Sequence, residues 1–221
     1  MTKSSRLAVS RRSGRIAKAD IRTMTVECDR VGGINLAQGV CDLEVPLLVR
    51  GGAHSAMERG GNAYTRHDGT AELRAAIAEK MASFNGIRVD PEREVVVSSG
   101  STGALYSAFV ALLDPGDEVV VFEPFYGYHL NTLDAVDAVP RFVKMRPPDW
   151  AFTREDLEAA ISPRTKAILV NTPGNPTGKV YSRQELSWVA EAAVEHDLFV
   201  FTDEIYEYFV YDGVRHVSPG A

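Results

Sequence analysis

The sequence is poor in cysteine and lacks both long apolar runs and the glycine signatures of nucleotide-binding loops. Its two cysteines, Cys28 and Cys41, fit neither a CxxC redox pair nor a zinc motif. No stretch approaches 18 apolar residues, which argues against a transmembrane helix. Neither GxxxxGK(S/T) nor GxGxxG occurs. This excludes a P-loop and weighs against a Rossmann dehydrogenase, the main alternative α/β fold.

Outside the first eighteen residues, lysines and arginines are outnumbered by aspartates and glutamates. The chain has a net charge of −6, which argues against a dedicated nucleic-acid binder. The start contains no acid and six basic residues: Lys3, Arg6, Arg11, Arg12, Arg15 and Lys18. No apolar core follows, so this is not a secretory signal. It is either a solvated tail or an arm for an acidic surface. Two thiols in such a chain are typical of the reducing cytoplasm.

Composition and periodicity predict a globular α/β protein. Of the 221 residues, 45% are hydrophobic and 24% charged, which is ordinary for a folded domain. Helices are predicted at Thr70–Phe84, Thr102–Leu113 and Tyr126–Ala135, from Thr153 onward, and from Ser182 to His196. Strands are predicted at Ile34–Ala37, Glu94–Ser98, Val119–Phe122, Val139–Val143, Lys166–Asn171 and Leu198–Thr202. Short apolar strands alternating with helices predict a mostly parallel sheet covered by helices on both faces.

Two segments that follow predicted strands carry groups suited to a phosphorylated ring. Ligands of parallel sheets bind beyond the carboxyl ends of the strands. Ser98–Gly103 offers glycines, hydroxyls and a helix start, which favour an anion, although a simple helix-capping turn is the alternative. Phe125 and Tyr126 could supply a face for a flat ring or form a local hydrophobic plug.

Two later segments add polar groups at the same edge. The loop Asn171–Gly178 is constrained by two prolines and two glycines, so the amide of Asn175 can be held toward the sheet edge. Asp203 ends an apolar strand, where a carboxylate needs a cation, a metal or hydrogen-bond donors, unless it only caps a helix. No histidine cluster supports a transition metal, so a protonated ring nitrogen is the better partner. The four segments together indicate a site for an anion, a flat ring and a cationic nitrogen.

Six motifs occur in one order between about residue 30 and residue 212. They are Asn35-Leu-Ala-Gln-Gly39, Tyr64-Thr-Arg-His-Asp-Gly69, Gly100-Ser-Thr-Gly103, Glu123-Pro-Phe-Tyr126, Asn175-Pro-Thr-Gly178 and Asp203-Glu-Ile-Tyr206. With this order and spacing, the sequence resembles the pyridoxal-phosphate-dependent aminotransferases of class I/II, which have fold type I. The motif set is specific for the family and says little about the substrate.

The resemblance implies how the cofactor would be held at the first two matching segments. Gly100, Ser101 and Thr102 would bind the phosphate of pyridoxal phosphate. Tyr126 would stack on its pyridine ring. No metal is implied.

The remaining matching positions would complete the site. Asn175 and Tyr206 would hydrogen-bond the phenolic oxygen of the cofactor, and Asp203 would pair with the pyridinium nitrogen so that the ring acts as an electron sink. Tyr64 would reach the phosphate bound by the partner subunit of a homodimer. Gly39 would line the end of the pocket that takes the amino acid. Residues 1–45 would form an arm and part of a small domain, and residues 46–221 the large domain.

The sequence departs from the family in one catalytic feature. Family members carry a lysine that forms a Schiff base with the cofactor, some thirty residues after the Asp-x-x-Tyr motif. The chain contains six lysines, none of which follows Asp203: Lys3, Lys18, Lys80, Lys144, Lys166 and Lys179. We therefore expect an N-terminal portion without the Schiff-base lysine, whose unpaired sheet edge makes it marginally stable or prone to aggregation.

The implied reaction is transfer of an amino group from an L-amino acid to a 2-oxo acid. A pyridoxal-phosphate lyase of the same fold, such as a carbon–sulfur lyase, shares these motifs and stays open. A truncated, catalytically inactive member of the fold also stays open. No nucleic acid, membrane or metal is expected as a partner, and the expected location is the cytoplasm.

Overall fold

The computed structural model describes residues 7–16, 20–39 and 41–221; Lys3, Arg6 and Lys18 lie outside this part of the chain. The helices are α1 (Asp20–Arg30), α2 (Leu47–Glu58), α3 (Ala71–Lys80), α4 (Gly100–Leu112), α5 (Gly127–Ala135), α6 (Arg154–Ala160) and α7 (Arg183–Glu195). The strands are β1 (Glu118–Glu123), β2 (Val139–Lys144), β3 (Thr165–Asn171) and β4 (Phe199–Asp203). A π-helical turn, Met81–Asn85, extends α3. Within the described residues, no helix combines the length and hydrophobicity that a membrane span requires.

The four strands form one parallel sheet in the order β2-β1-β3-β4. The central strands β1 and β3 are the most buried, as expected for strands covered on both faces. Pro140 interrupts the predicted strand but lies in β2, an edge strand, where a missing amide donor is tolerated. The register of β3 and β4 pairs Asn171 with Asp203, so both side chains emerge at the carboxyl edge.

Helices cover both faces of the sheet, which confirms the predicted architecture. Alternate residues of β1 point to opposite sides. Val119 and Val121 pack with Phe109 of α4 and with Leu133 of α5. On the opposite face of the sheet, Val120 and Phe122 pack with Leu157 of α6 and with Leu186 and Val189 of α7. The carboxyl edge of the sheet therefore lies between two rigid helical layers.

Two predicted strands are wrong. Glu94–Ser98 and Ile34–Ala37 are extended or irregular but pair with no strand among the described residues. A strand is defined by a hydrogen-bonded neighbour, and apolar β-branched residues alone do not supply one. The backbone amide of Val97 instead donates to the carbonyl of Asp68 at 2.9 Å. Three of the four segments at the sheet edge therefore follow strands, whereas Ser98–Gly103 follows an unpaired extended segment.

Part of the basic start lies on the body of the same chain. Arg12 Nε contacts Asp137 Oδ2 at 2.6 Å, and Arg15 also bonds Asp137. The two arginines lower the pKa of the Asp137 carboxyl below its ordinary value, mainly through the hydrogen bond from Arg15. These pairs are partly exposed, so they add little stability, but they direct residues 12–15 to the end of α5.

The contacts of Asp156 at the start of α6 should make the stability of the fold depend on pH. The carboxylate accepts two hydrogen bonds from Arg146, at 2.6 and 2.7 Å, and one from the Thr153 backbone amide at 2.9 Å. These contacts, Arg146 foremost, hold its pKa well below the ordinary 3.8. Since the folded pKa is the lower one, the stabilisation is present above pH 3.8 and is lost as the pH falls further.

We expect Asp156→Asn to lower the free energy of unfolding by about 1 kcal/mol at pH 7, because it removes half of the α6 capping box and an ion pair. The difference from the parent chain should shrink between pH 4 and pH 2. Urea unfolding at each pH measures the difference, and the control is Asp149→Asn, which changes an exposed carboxylate in the segment that precedes α6. A difference that does not change with pH would contradict a lowered pKa of Asp156 in the folded chain.

Candidate cofactor site

A cleft at the carboxyl edge of the sheet brings together four of the nine predicted site residues. It is lined by the start of α4, the start of α5 and the end of β4, and its walls include Ser101, Thr102, Tyr126, His129 and Asp203. These residues come from three separate segments of the chain, and the parallel strand order places them at one edge. The hydroxyls, the aromatic ring and the carboxylate therefore lie together around a small cavity at this edge of the sheet.

The start of α4 is open toward a ligand. Ser99 is the N-cap residue, but its side chain makes no capping hydrogen bond, so the first amides of the helix are not satisfied by that side chain. Gly100 has φ +74°, which glycine adopts without strain. A Cβ at Gly103 would lie 2.7 Å from Ser98 Oγ, so a larger residue there would force the Ser98 side chain to move. Uncapped amides and the hydroxyls of Ser101 and Thr102 make this turn suited to a phosphate.

Asp203 is held by a buried histidine. His129 is 3% exposed, and its Nε2 lies 2.9 Å from Asp203 Oδ2. The other carboxylate oxygen accepts a hydrogen bond from the Ile205 amide at 3.3 Å. A mostly buried carboxylate needs such partners. Asp203 is therefore fixed in place, and its side chain still reaches the cleft.

Tyr126 lies beside this pair. Its ring is 5.4 Å from the ring of His129, with the two planes at 83°. Burial raises the pKa of the Tyr126 phenol, and the neighbouring Tyr128 and Tyr206 phenols and Asp203 raise it further. Tyr126 therefore stays neutral across the physiological range, as a stacking surface for a flat ring requires.

The loop after β3 is tied to β4 through Asn171. Its Nδ2 donates to the carbonyl of Asp203 at 3.0 Å, and its Oδ1 accepts from the Asn175 amide at 2.8 Å. The Asn175 side chain in turn donates to Tyr206 Oη at 3.4 Å. Asn175 and Tyr206 thus form a second pair of polar groups, and Asn171 positions both the loop and the end of β4.

Five predicted site residues do not line this cleft: Gly100, Asn175 and Tyr206, and the exposed residues Tyr64 and Gly39. Tyr64 is fully exposed, and Gly39 is exposed with no atom within 4 Å of a Cβ built on it. Neither lines the cleft that holds Asp203. Their roles toward a partner subunit and a substrate stay predictions.

Sequence reasoning missed His129 and the positioning role of Asn171. His129 stands three residues after Tyr126, so both fall on the first turn of α5 or at its cap and face one side. An aromatic residue followed at this spacing by histidine, near a strand-end aspartate, was the available signal. For Asn171, the parallel register beside Asp203 was needed, which the sequence alone does not show.

Comparison with known proteins decides the family. The family model described as aminotransferase class I and II matches residues 31–219. The chain belongs to this family. It is 39% identical over 197 residues to a probable N-succinyldiaminopimelate aminotransferase of Mycobacterium tuberculosis, a match that covers 88% of this chain and 49% of the relative. It is 36% identical over 196 residues to kynurenine–oxoglutarate transaminase 3 of Rattus norvegicus, covering 84% of this chain and 43% of the relative.

Solved aminotransferases share the fold type I architecture of the chain. The M. tuberculosis N-succinyldiaminopimelate aminotransferase superposes with a TM-score of 0.91 at 37% identity, over 96% of this chain and 56% of that one. The Thermus thermophilus aspartate aminotransferase gives 0.89 at 37% identity, over 97% and 57%. The chain thus spans about half the length of the aminotransferases it matches.

The contact between His129 and Asp203 should contribute measurably to the stability of this aminotransferase fold. We expect His129→Leu to lower the free energy of unfolding by about 1–3 kcal/mol, because it leaves a mostly buried carboxylate without its main partner. His129→Gln, which can still donate, should recover part of the loss. Thermal or urea unfolding measures both, with His54→Leu on exposed helix α2 as control. Equal losses in the two leucine variants would contradict the pairing.

Proposed function

We propose that the site binds pyridoxal phosphate and that the protein is an aminotransferase acting on an L-amino acid and a 2-oxo acid. The observation that carries the proposal is the placement of Asp203, fixed by His129, beside Tyr126 and the uncapped start of α4. This arrangement offers a carboxylate, a ring surface and an anion site within one cleft. Membership of the class I and II aminotransferases, which are generally pyridoxal-phosphate enzymes, supports the same assignment.

The groups present fit this cofactor in charge and type. The hydroxyls and backbone amides of Ser101 and Thr102 would hold the phosphate dianion at a helix start, beside Gly100, whose own amide donates to the Ser98 carbonyl. Tyr126 would lie against the pyridine ring. Asp203 would face the ring nitrogen, and its negative charge favours the protonated ring.

Asn175 and Tyr206 supply the remaining polar contacts. They would hydrogen-bond the phenolic oxygen of the cofactor, a role suited to an amide and a phenol that already lie 3.4 Å apart. When bound, the cofactor withdraws electrons from the Cα–H bond of the amino acid. Asp203 supports this chemistry by holding a proton on the ring nitrogen, and His129 orients Asp203 for that task. Asn171 keeps the loop that carries Asn175 in register with β4.

The wider assignments are also proposals. Tyr64, fully exposed, would reach the phosphate of a partner subunit in a homodimer, and Gly39 would border the amino-acid end of the pocket. Residues 1–45 would belong to an arm and small domain, and the location would be cytoplasmic. The named relatives act on different compounds, including kynurenine and N-succinyldiaminopimelate, so they do not select a substrate for this chain.

An assay of the intact gene product with added pyridoxal phosphate tests the proposal. A panel of L-amino acids is offered with 2-oxoglutarate, and formation of glutamate is measured beside release of pyruvate or thiol. Amino transfer that requires the 2-oxo acid is the expected result. Pyruvate or thiol release without a 2-oxo acid would favour a lyase and overturn the transferase assignment. Loss of both activities, with no retained cofactor, would contradict the cofactor site as well.

A further inference from the structure

Arg74 of helix α3 is a fully buried arginine that is not among the residues lining the cofactor cleft. Its guanidinium donates to the backbone carbonyls of Gly69 and Pro91 and, at 2.9 Å, to Glu92 Oε1. Asp68 Oδ2 lies 3.8 Å from its Nη1. A charge without access to water is costly unless its donors are paired. The partners of Arg74 come from two short segments of the chain, which the guanidinium therefore holds together.

One of these segments is the turn formed by residues 66–69. The Gly69 amide donates to the carbonyl of Arg66 at 3.1 Å, which closes the four residues as a β-turn. Arg66 also donates to both oxygens of the Asp68 carboxylate, at 3.0 and 2.7 Å, and Asp68 is a buried residue. Arg74 donates to the carbonyl of Gly69 at 3.3 Å from helix α3. The turn is thus attached to α3 and braced internally by an ion pair.

Val97 contacts this turn at two points. Its backbone amide donates to the carbonyl of Asp68 at 2.9 Å. Gly69 has φ +101°, and a Cβ built on it would lie 2.5 Å from Val97 Cγ2 and 2.7 Å from Val97 Cβ. A side chain at position 69 would therefore push Val97 away, besides straining a backbone conformation that favours glycine. The hydrogen bond and the close packing together set the position of Val97.

The segment after Val97 is the proposed phosphate-binding turn. Three residues separate Val97 from Ser101, and the N-cap Ser99 makes no capping hydrogen bond with its side chain. The position of the Ser101 and Thr102 amides consequently depends on how the backbone enters α4. Hydrogen bonds from amides to oxygen occur within about 0.5 Å in donor–acceptor distance, so a small displacement of this entry weakens contacts to a phosphate.

We propose that Arg74 and the turn of residues 66–69 position the phosphate-binding start of α4 through Val97. The inference rests on the proposed cofactor site. Arg74 is a positioning residue in this scheme, since it fixes the turn, the turn holds Val97, and Val97 directs the entry into α4. The hydrogen bonds from Arg66 lower the pKa of the Asp68 carboxyl, which keeps it ionised at neutral pH. Disruption of these contacts should weaken binding of the cofactor phosphate and spare binding of the ring.

Two glycine substitutions test the contact with Val97. Gly69→Ala and Gly116→Ala each place alanine at a positive φ, of 101° and 94°, so the backbone strain is comparable. A Cβ at Gly116, in the turn before β1, meets no atom within 4 Å. We expect Gly69→Ala to weaken binding of pyridoxal phosphate by about tenfold, as for one lost hydrogen bond to a charged group, and binding of pyridoxal by less than about twofold. Gly116→Ala should change neither affinity. Fluorescence titration of variants whose fold is verified by circular dichroism measures the affinities.

Substitution of Arg74 tests the contact on which the turn depends. Arg74→Met removes every hydrogen bond of the guanidinium, so the same loss specific to the phosphate is expected. Exchange of the Val97 amide hydrogen with solvent should become about tenfold faster. Asp68→Asn keeps the carbonyl that accepts from Val97 and weakens the ion pairs around it, so both effects should recur at smaller size. This variant retains the test if Arg74→Met does not fold.

The outcomes separate this inference from the proposed function. A parent chain that binds no pyridoxal phosphate would overturn both. If the parent binds it, equal affinities of Gly69→Ala and Gly116→Ala, or equal losses for pyridoxal and its phosphate, would overturn the inference alone. Unchanged exchange of the Val97 amide in the folded Arg74→Met or Asp68→Asn variant would do the same.

Discussion

Replacing Asp203 with asparagine is expected to weaken the binding of pyridoxal phosphate to this chain by about 10- to 100-fold. The substitution keeps the size of the side chain but removes the negative charge that is proposed to face the ring nitrogen. A hydrogen bond to a charged group contributes about 1.5–3 kcal/mol, and 1.4 kcal/mol corresponds to a tenfold change in affinity. Fluorescence or calorimetric titration with the cofactor measures the loss.

A matched variant separates this effect from general loss of charge. Asp212 is an exposed carboxylate of the same C-terminal segment, at a positive φ of 55° that asparagine tolerates. Asp212→Asn should bind the cofactor as the parent does. If Asp203→Asn retained full affinity while remaining folded, Asp203 would not be the partner of the ring.

The second large effect is expected at the start of α4. Ser101→Asp places a carboxylate where the phosphate of the cofactor is proposed to bind. At a separation of about 5 Å and an effective dielectric near 20, two negative charges repel by about 3 kcal/mol, so affinity for pyridoxal phosphate should fall by about 100-fold. An acid in the first turn of a helix is favourable for the helix itself, so the fold should persist.

Binding of pyridoxal distinguishes the proposed phosphate-binding part of the site from the proposed ring-binding part. Pyridoxal lacks the phosphate, so Ser101→Asp should change its binding by less than about threefold, whereas Asp203→Asn should weaken both compounds. Ser107→Asp lies on the same helix away from the cleft and should change neither. Equal losses for pyridoxal and its phosphate in Ser101→Asp would contradict a phosphate site at this turn.

The sequence predicted those elements of the fold that depend on residues close together in the chain. The apolar strands that became β1, β3 and β4, and the capping boxes that begin at Thr153 and Ser182, are visible as runs and spacings. Pro140 did not prevent β2 because an edge position needs fewer donors. Glu94–Ser98 failed as a strand because pairing is a property of two segments, and one segment cannot show it.

The same distinction separates the site residues that the sequence predicted from those that it did not. Ser101, Tyr126, Asn175 and Asp203 were predicted from their positions after the apolar segments, and the structure gathers their segments at one edge. The contact between His129 and Asp203 spans 74 positions of sequence and depends on how α5 lies over the sheet. The predicted roles of Tyr64, toward a partner subunit, and of Gly39, toward the amino-acid end of the pocket, depend on groups that this single chain does not present.

The protonation state of the bound ring tests the central claim most directly. Pyridoxal phosphate labelled with ¹⁵N in the ring is bound to the chain, and the nitrogen shift is followed as the pH is raised. Since the proposed pairing with Asp203 would stabilise the protonated form, the bound ring should stay protonated to higher pH than the free cofactor, and Asp203→Asn should abolish the difference. A bound ring that titrates like the free cofactor, or one whose titration is unchanged in Asp203→Asn, would contradict the account.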